Sequence, residues 1–169
     1  GPRAIIYHEG SRYLINQVIM PVSDDENGPL TTQIKQCNNC GYIHPVTGDH
    51  NDDVCERCGV RLPIEMRDLL RLETVRTTRR DRISSDEEER LRLGFELRTG
   101  VRFALDDNHQ PLKYLAEILD SNTDEALGQL EYGQSATLWR INLGWARRKD
   151  KDRLGFVLDM ERGYWEKNE

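Results

Sequence analysis

The sequence predicts an α+β fold that is mostly β, an antiparallel β-rich domain interrupted by a small four-cysteine ribbon. Two stretches, 95–103 and 139–146, alternate apolar and polar residues with a period of two, which is typical of half-buried strands. The four cysteines form two C-x-x-C pairs, each followed directly by glycine, and fourteen residues separate the pairs. A segment at 85–88 has the composition of a short helix start, so the prediction includes one helical element among strands.

The first predicted element is a β-hairpin. Residues 4–7 and 13–20 are rich in β-branched and aromatic side chains, and Glu9-Gly10-Ser11 between them supplies a tight turn. After an acidic loop, a short strand from Thr31 to Gln36 leads to the first cysteine pair. We assign residues 3–36 to the β-rich domain. Residues 1–2 resemble the remnant of a cleaved expression tag, and we therefore expect the chain to be an excised domain.

The cysteine spacing predicts a metal-held ribbon over residues 37–60. Two such pairs suit a tetrahedral site in which each pair gives two sulfurs to one zinc ion, and a closed site of four thiolates is structural rather than catalytic. The stretch 41–54 contains three aspartates and few apolar positions, so we expect the metal, and not burial, to hold it. The predicted ligands of one structural zinc ion are Cys37, Cys40, Cys55 and Cys58.

Other interpretations of this ribbon stay open. The thiols could form two disulfides in a secreted protein, although no secretion signal opens the chain, or serve a redox or iron–sulfur site. His44 and His50 could replace a ligand, but four thiolates already fill a tetrahedron, so we interpret both histidines as loop residues.

The remaining residues, 61–169, are predicted to complete the β-rich domain. Residues 69–77 look extended, and Ser85 to Glu88 fits a capping box with Ser85 as N-cap. The stretch 112–119 fits both the strand and the helix period. The alternating stretch that begins at Trp139 predicts a strand with its tryptophans in the core, a strand at 155–159 is expected to pair nearby, and 163–165 closes the domain.

Charge and hydropathy limit the class of protein. The formal net charge is -6, which disfavours non-specific DNA binding over the whole surface but allows a local basic stripe. No apolar run approaches the roughly 20 residues that span a bilayer. We therefore predict a cytoplasmic protein without a membrane partner.

Two basic clusters are candidates for contact with nucleic acid, since arginine forks suit phosphate oxygens. Their members are Arg76, Arg79, Arg80 and Arg82 in the first cluster and Arg147, Arg148 and Lys149 in the second. The alternative is internal pairing of the first cluster with the acidic residues 86–89. For the second cluster, neighbouring Asp150 and Asp152 favour a plain surface loop.

Two further groups of polar residues have simple structural explanations. His8 and Glu9 could act as an acid–base pair, but a hairpin turn accounts for them equally well. Ser84 and Ser85 suggest a nucleophile, but helix capping explains the pair without one.

Several segments of the sequence together resemble those of a known protein family. They are residues 7–13 (YHEGSRY), the two cysteine pairs, 79–90 (RRDRISSDEEER), 139–145 (WRINLGW) and 155–159 (GFVLD). This combination is similar to the C-terminal zinc-binding domain attached to large superfamily 2 DNA helicases of bacteria. The resemblance implies an accessory domain of a repair or anti-phage defence helicase, closer to the defence type, with the four cysteines on zinc.

The predicted function is that of a helicase accessory domain which docks on the motor domains of its parent chain or on a partner subunit, with DNA as a further predicted contact. The sequence has no GxxxxGK[ST] phosphate loop, so the chain should not hydrolyse ATP by itself. One alternative is a pure protein-interaction module that never meets nucleic acid. Another is a free-standing nucleic-acid-modifying enzyme, for which the sequence offers no convincing carboxylate or open-metal cluster.

Overall fold

A computed structural model describes residues 1–2, 4–20, 31–48, 51–80 and 94–166. Within these ranges there is no helix, so the described fold is β-rich and the α+β class is not supported. The predicted helix start at 85–88 lies outside the described residues, as do Ser84, Arg82 and His50. No helix in the described ranges is long and apolar enough to cross a membrane.

Strands form wherever the sequence alternates or is rich in β-branched residues. In chain order they are β1 (Ile5–His8), β2 (Ser11–Val18), β3 (Thr31–Gln36), β4 (Ile43–Pro45), β5 (Met66–Leu70), β6 (Val75–Arg80), β7 (Phe95–Phe103), β8 (Tyr114–Leu119), β9 (Ala126–Tyr132) and β10 (Ala136–Trp145).

The described strands form four small sheets, with strand orders β1-β2-β6, β4-β3-β5, β10-β7 and β8-β9. The predicted N-terminal hairpin is confirmed as the antiparallel pair β1–β2. Its turn residues Glu9 and Gly10 have φ values of 45° and 72°. Two consecutive positive φ values are the geometry of a type I′ turn, whose twist matches that of the strands it joins.

Several sequence predictions are refined by the strand bounds. Strands β3 and β7 have the predicted limits, the ambiguous stretch 112–119 forms strand β8, and the extended stretch 69–77 contains parts of two strands, β5 and β6. Strand β9 was not predicted. The stretch 155–159 forms no regular strand, but Gly155 donates a backbone hydrogen bond of 2.9 Å to Leu143, and Leu158 bridges Trp165.

The chain divides into two compact units. Unit 1 comprises Gly1–Gln33, Arg67–Arg98 and Arg140–Glu169. Its apolar interior includes Ile141 and Leu143 of β10, both buried. Trp145 stacks on Phe95 with ring centroids 4.8 Å apart and meets Phe156 edge-on at 5.8 Å, which agrees with a core role for this tryptophan.

Unit 2 comprises Ile34–Met66 and Thr99–Trp139. Its core cluster contains two of the cysteines together with Tyr42, Leu62 and Phe103. Tyr42 and Ile43 have no exposed surface. Residues 41–54 were not expected to hold themselves together by burial, but the start of that stretch does pack into the core of the unit.

Glycine allows this close packing. A Cβ atom on Gly100 of β7 would lie 2.4 Å from Cδ1 of Ile43, a separation that atoms do not adopt. Strand β7 can therefore approach the ribbon at Gly100 only because the residue has no side chain. Tyr42 and Val101 form a parallel β-bridge next to this contact.

Candidate metal centre

The two cysteine pairs have the same backbone geometry. In each pair the N–H of the first cysteine donates to the carbonyl oxygen five residues later, at 2.9 Å in both cases. The N–H of the following glycine donates to the carbonyl oxygen of the first cysteine, at 2.9 Å for Gly41 and 2.8 Å for Gly59. Both glycines have φ of 72°, a conformation that side chains oppose. The sequence Cys-x-x-Cys-Gly thus forms the same turn in both cysteine pairs.

The four sulfur atoms converge. All four Sγ atoms lie within 4.8 Å of one another, with 3.5 Å between Cys37 and Cys58 and 3.6 Å between Cys40 and Cys55. A disulfide bond is about 2.05 Å long, so neither close pair is bonded. The edge of a tetrahedron built on Zn–S bonds of about 2.3 Å is roughly 3.8 Å. The four cysteines are therefore close enough to hold one metal ion.

The thiols have different proton affinities. Burial raises the pKa of Cys40 to about 12, opposed by a hydrogen bond from the backbone of Tyr42. The backbone N–H of Val60 is the main cause that lowers the pKa of Cys58, to about 6. Four thiolates this close together repel one another, and a cation bound among them would remove that repulsion and displace the remaining protons.

An ionic network connects the second cysteine pair to strand β9 and to Lys113, directly before strand β8. Arg57, between Cys55 and Cys58, donates a 3.0 Å hydrogen bond to the carbonyl oxygen of Cys40. The same guanidinium forms an ion pair with Glu131 of β9, which also pairs with Lys113 at 3.1 Å. Burial alone would raise the pKa of Glu131, but the hydrogen bonds from these two cations outweigh it and lower the pKa. Glu131 therefore stays ionised and fixes β9 against the ribbon.

A histidine and two carboxylates lie on the other side of Cys55. Strand β4 places His44 in the interior, where its side chain is 1% exposed, and Nε2 lies 3.4 Å from Sγ of Cys55. Nδ1 lies 3.9 Å from a carboxylate oxygen of Asp52 and 3.9 Å from one of Glu56. Burial is the main cause that lowers the pKa of His44. The prediction that His44 is a loop residue is therefore wrong: it belongs to a strand and contacts a candidate ligand.

The hairpin β8–β9 exposes an apolar face. Its register pairs Tyr114 with Tyr132 and Ala116 with Leu130, and cross-strand partners share a face. Exposed fractions are 63% for Tyr114, 64% for Tyr132 and 59% for Leu130, and Ile118 on the same face is 44% exposed. Contiguous exposed apolar side chains of this kind are typical of protein-binding surfaces.

The first basic cluster is divided between two faces of the sheet β1-β2-β6. Alternation along β6 places Arg76 and Arg80 on one face and Arg79 on the other, all three exposed. Arg80 lies opposite Arg12 of β2, which in turn lies opposite Tyr7 of β1. The face with Arg76 and Arg80 therefore combines basic and aromatic side chains.

The second basic cluster is partly engaged in internal contacts. Arg148 donates hydrogen bonds to Glu96 at 2.7 Å and to the carbonyl oxygens of Trp145 and Lys151. Its side chain is 12% exposed. Arg147 and Lys149 are exposed. The contacts of Arg148 hold the segment after β10 in place.

The turn residues His8 and Glu9 are exposed, with side-chain fractions of 68% and 83%, and Nε2 of His8 lies 3.7 Å from Oε1 of Glu9. They occupy the end of the β1–β2 hairpin, as a turn interpretation expects.

Sequence reasoning missed the residues around the sulfurs. Arg57 and Glu56 occupy the two variable positions of the second C-x-x-C pair, so their place in the motif was a usable signal. Nothing in the local sequence connects Glu131 or Arg102 with the ribbon, because strands β9 and β7 bring them there.

No protein-family model, curated protein or solved structure matches the chain.

Proposed function

We propose that the protein is a zinc-stabilised accessory domain of a DNA helicase, which docks on the motor domains of its parent chain or on a partner subunit. The chain supplies binding surfaces and no nucleotide hydrolysis. Three observations support this proposal: the four converging sulfurs, the exposed apolar face of β8–β9, and the sequence segments that resemble helicase-associated domains.

Zinc is the ion that suits four thiolates best. Soft sulfur ligands in tetrahedral arrangement select zinc or iron–sulfur centres, and a closed set of four leaves no position for a substrate. We expect elemental analysis to find one zinc ion per chain that resists mild chelation. Less than about half an ion, with intact thiols, would contradict the assignment.

The observation that carries the docking function is the connection between this centre and the apolar face. Arg57 bonds to the backbone of Cys40 and pairs with Glu131, whose neighbours Leu130 and Tyr132 point to the opposite, exposed face of the hairpin. A metal ion among the thiolates would thus hold the docking face in one orientation. Pre-ordering a binding face reduces the entropy lost on binding.

The occupant of this face is an apolar patch on a helicase motor. To test this, a photo-cross-linking amino acid replaces Tyr132 in the full-length gene product, expressed in its own cells, and cross-linked peptides are identified by mass spectrometry. We expect peptides from a superfamily 2 ATPase motor. The control replaces Asp107, an exposed turn residue of the same unit, and should give no such peptides.

A charge substitution gives an independent measurement. Leu130→Asp should weaken binding to the identified motor by at least about tenfold, because an ionised carboxylate loses hydration in an apolar interface. Gln129→Asp makes a similar change on the opposite face of the same strand and should have little effect. Cross-links only to a second copy of this chain, or equal effects of the two substitutions, would overturn the docking proposal.

The alternative function is a pure protein-interaction module with no nucleic-acid contact. The exposed arginines and the tyrosine on the sheet β1-β2-β6 favour the helicase function over this alternative, since guanidinium groups and aromatic rings suit phosphates and bases. Cross-links from position 132 to a protein without an ATPase motor would favour the alternative.

A further inference from the structure

Three acceptor atoms converge next to the cysteine cluster. Nδ1 of His44, one carboxylate oxygen of Asp52 and one of Glu56 all lie within 4.8 Å of one another. His44 is almost completely buried, whereas the side chains of Asp52 and Glu56 are 42% and 34% exposed. A buried ring nitrogen therefore faces two carboxylates that are open to solvent.

The contact with Cys55 decides which nitrogen of His44 carries the proton. Nε2 lies 3.4 Å from Sγ of Cys55, and a sulfur that is a metal-bound thiolate accepts hydrogen bonds but cannot donate one. In the zinc-loaded protein Nε2 therefore holds the hydrogen, and this tautomer rests on the proposed zinc occupancy of the cysteines. In that tautomer the lone pair is on Nδ1, which lies 3.9 Å from a carboxylate oxygen of Asp52 and 3.9 Å from one of Glu56.

Nδ1 has no hydrogen-bond partner among the described residues, although it is buried. Its separations from the two carboxylates, 3.9 Å in each case, are too long for a hydrogen bond, so a proton on Nδ1 would not be shared with either group. A buried polar atom without a partner is costly. An ion placed between the three atoms would satisfy all of them.

We propose that His44, Asp52 and Glu56 form a second metal site, which binds a divalent transition-metal ion through one nitrogen and two carboxylate oxygens. Metal–ligand bonds of about 2.1 Å put two ligand atoms roughly 3.4 Å apart at a tetrahedral angle and about 4.2 Å apart when they lie opposite. The observed 3.9 Å falls between these limits. Small movements of the two exposed carboxylates would complete the coordination.

The chemistry of the donor set distinguishes this site from the thiolate centre. An imidazole nitrogen with carboxylates suits zinc or manganese, and three protein ligands leave positions for water. Because two of the ligands are exposed, the ion should exchange with solvent more readily than an ion enclosed by four sulfurs. The second site should therefore bind more weakly and lose its ion to a mild chelator.

Arg102 and Lys35 orient the ligands and repel a bound cation, whereas a zinc ion enclosed by four thiolates would attract one. Arg102 contacts the other carboxylate oxygen of Glu56 at 3.5 Å, and Lys35 donates to the main-chain oxygen of Asp52 at 2.7 Å, so neither cation occupies the space between the three acceptors. Zn²⁺ with four thiolates has a net formal charge of about −2. Both this attraction and the proton on Nε2 rest on the proposed zinc occupancy of the cysteine cluster; the convergence of the three acceptors does not.

The test uses zinc-loaded protein from which a mild chelator has removed loosely held ions. Mn²⁺ is added, because it prefers nitrogen and oxygen ligands and should leave the thiolate centre alone. The decrease of the electron paramagnetic resonance signal of free Mn²⁺ measures binding. We expect about one Mn²⁺ per chain, displaced by added Zn²⁺, while the cysteines stay unreactive towards a thiol reagent.

Matched variants identify the ligands. Asp52→Asn and Glu56→Gln should each weaken Mn²⁺ binding by about tenfold or more. Asp53→Asn is the control, since Asp53 is adjacent in sequence but pairs with Lys35, and it should leave binding unchanged. No loss of free Mn²⁺ signal up to about 1 mM, or equal effects of all three variants, would overturn the second site. Zinc content and thiol protection are measured separately, so such a result would leave the thiolate centre standing.

Discussion

At the scale of single residues, Gly163 occupies the tightest position in unit 1. Its φ is 71°, and a Cβ atom there would lie 1.8 Å from the backbone oxygen of Val18. The carbonyl oxygen of Gly163 also accepts a 2.8 Å hydrogen bond from the N–H of Val18 at the end of β2. The residue therefore meets two separate constraints, a left-handed backbone and a contact with no room for a side chain.

We expect Gly163→Ala to lower the free energy of unfolding by about 2–3 kcal/mol. Roughly 1–2 kcal/mol comes from forcing alanine into the left-handed region, and the rest from breaking the hydrogen bond when Val18 is displaced. Urea unfolding measures the change.

The control for this prediction is Gly155→Ala. Gly155 has φ of 78°, but nothing lies within 4 Å of its Cβ position. Gly155→Ala should lower the free energy of unfolding by about 1–2 kcal/mol, because alanine is forced into the left-handed region without a steric clash. Equal destabilisation by the two substitutions would show that the contact with Val18 contributes nothing.

At the scale of elements, the carboxylate of Glu131 ties the hairpin β8–β9 to the ribbon. Glu131 pairs with Arg57 and Lys113, and its side chain is 13% exposed. We expect Glu131→Gln to lower the free energy of unfolding by about 1–2 kcal/mol, because charge-assisted hydrogen bonds are replaced by neutral ones. Amide hydrogen exchange in β8 and β9 should become faster, which mass spectrometry measures.

The pH dependence of that contribution has a defined sign. The pKa of Glu131 is lowered in the folded protein, so its stabilising effect is present at neutral pH and disappears as the pH falls through the lowered pKa. The difference in free energy of unfolding between the Glu131→Gln variant and the unmodified protein should therefore decrease as the pH is lowered. Glu117→Gln, at an exposed position of β8, is the control and should change neither stability nor exchange.

The strand β6 gives a test of DNA binding. If Arg80 neutralises one phosphate, Arg80→Ala should reduce the slope of log affinity against log salt by about 0.9 on duplex DNA, or about 0.7 on a single strand. Arg79→Ala is the control, because Arg79 lies on the opposite face. Fluorescence anisotropy with labelled oligonucleotides measures both. Absence of binding at low salt would favour the protein-interaction module.

At the scale of the whole molecule, the cysteines belong to one unit and the aromatic stack of Phe95, Trp145 and Phe156 to the other. We expect Cys55→Ser to release the metal and remove hydrogen-exchange protection from residues 37–48 and 51–62. A closed zinc site contributes its binding free energy to folding, on the order of 10 kcal/mol. The near-ultraviolet circular dichroism of the aromatic stack should be retained. Loss of both signals together would show that the two units unfold as one.

The features that were predicted correctly from the sequence are those that depend only on a few consecutive residues. The C-x-x-C-Gly repeats fixed the turn geometry, because the positive φ at Gly41 and Gly59 is a property of a few consecutive residues. The turn at Glu9-Gly10 and the alternation in β7 and β10 were predicted for the same reason. Strand β9 was missed because its apolar residues do not alternate: Leu127 and Leu130 are three positions apart, and Gly128 lies between them.

By itself, the amino-acid sequence determined the four converging cysteines, the hairpin turn and the strand periods, since each depends on neighbouring residues. The tertiary structure alone decided that Tyr42, Ile43 and His44 are buried, that Arg57 meets Glu131, and that His44 faces two carboxylates. Those contacts join residues that are not neighbours in sequence, and their formation depends on how the ribbon and the strands pack. The cysteine spacing predicts where a metal ion can bind. The side chains that surround the sulfurs could be identified only from the tertiary structure, because strand packing brings them there.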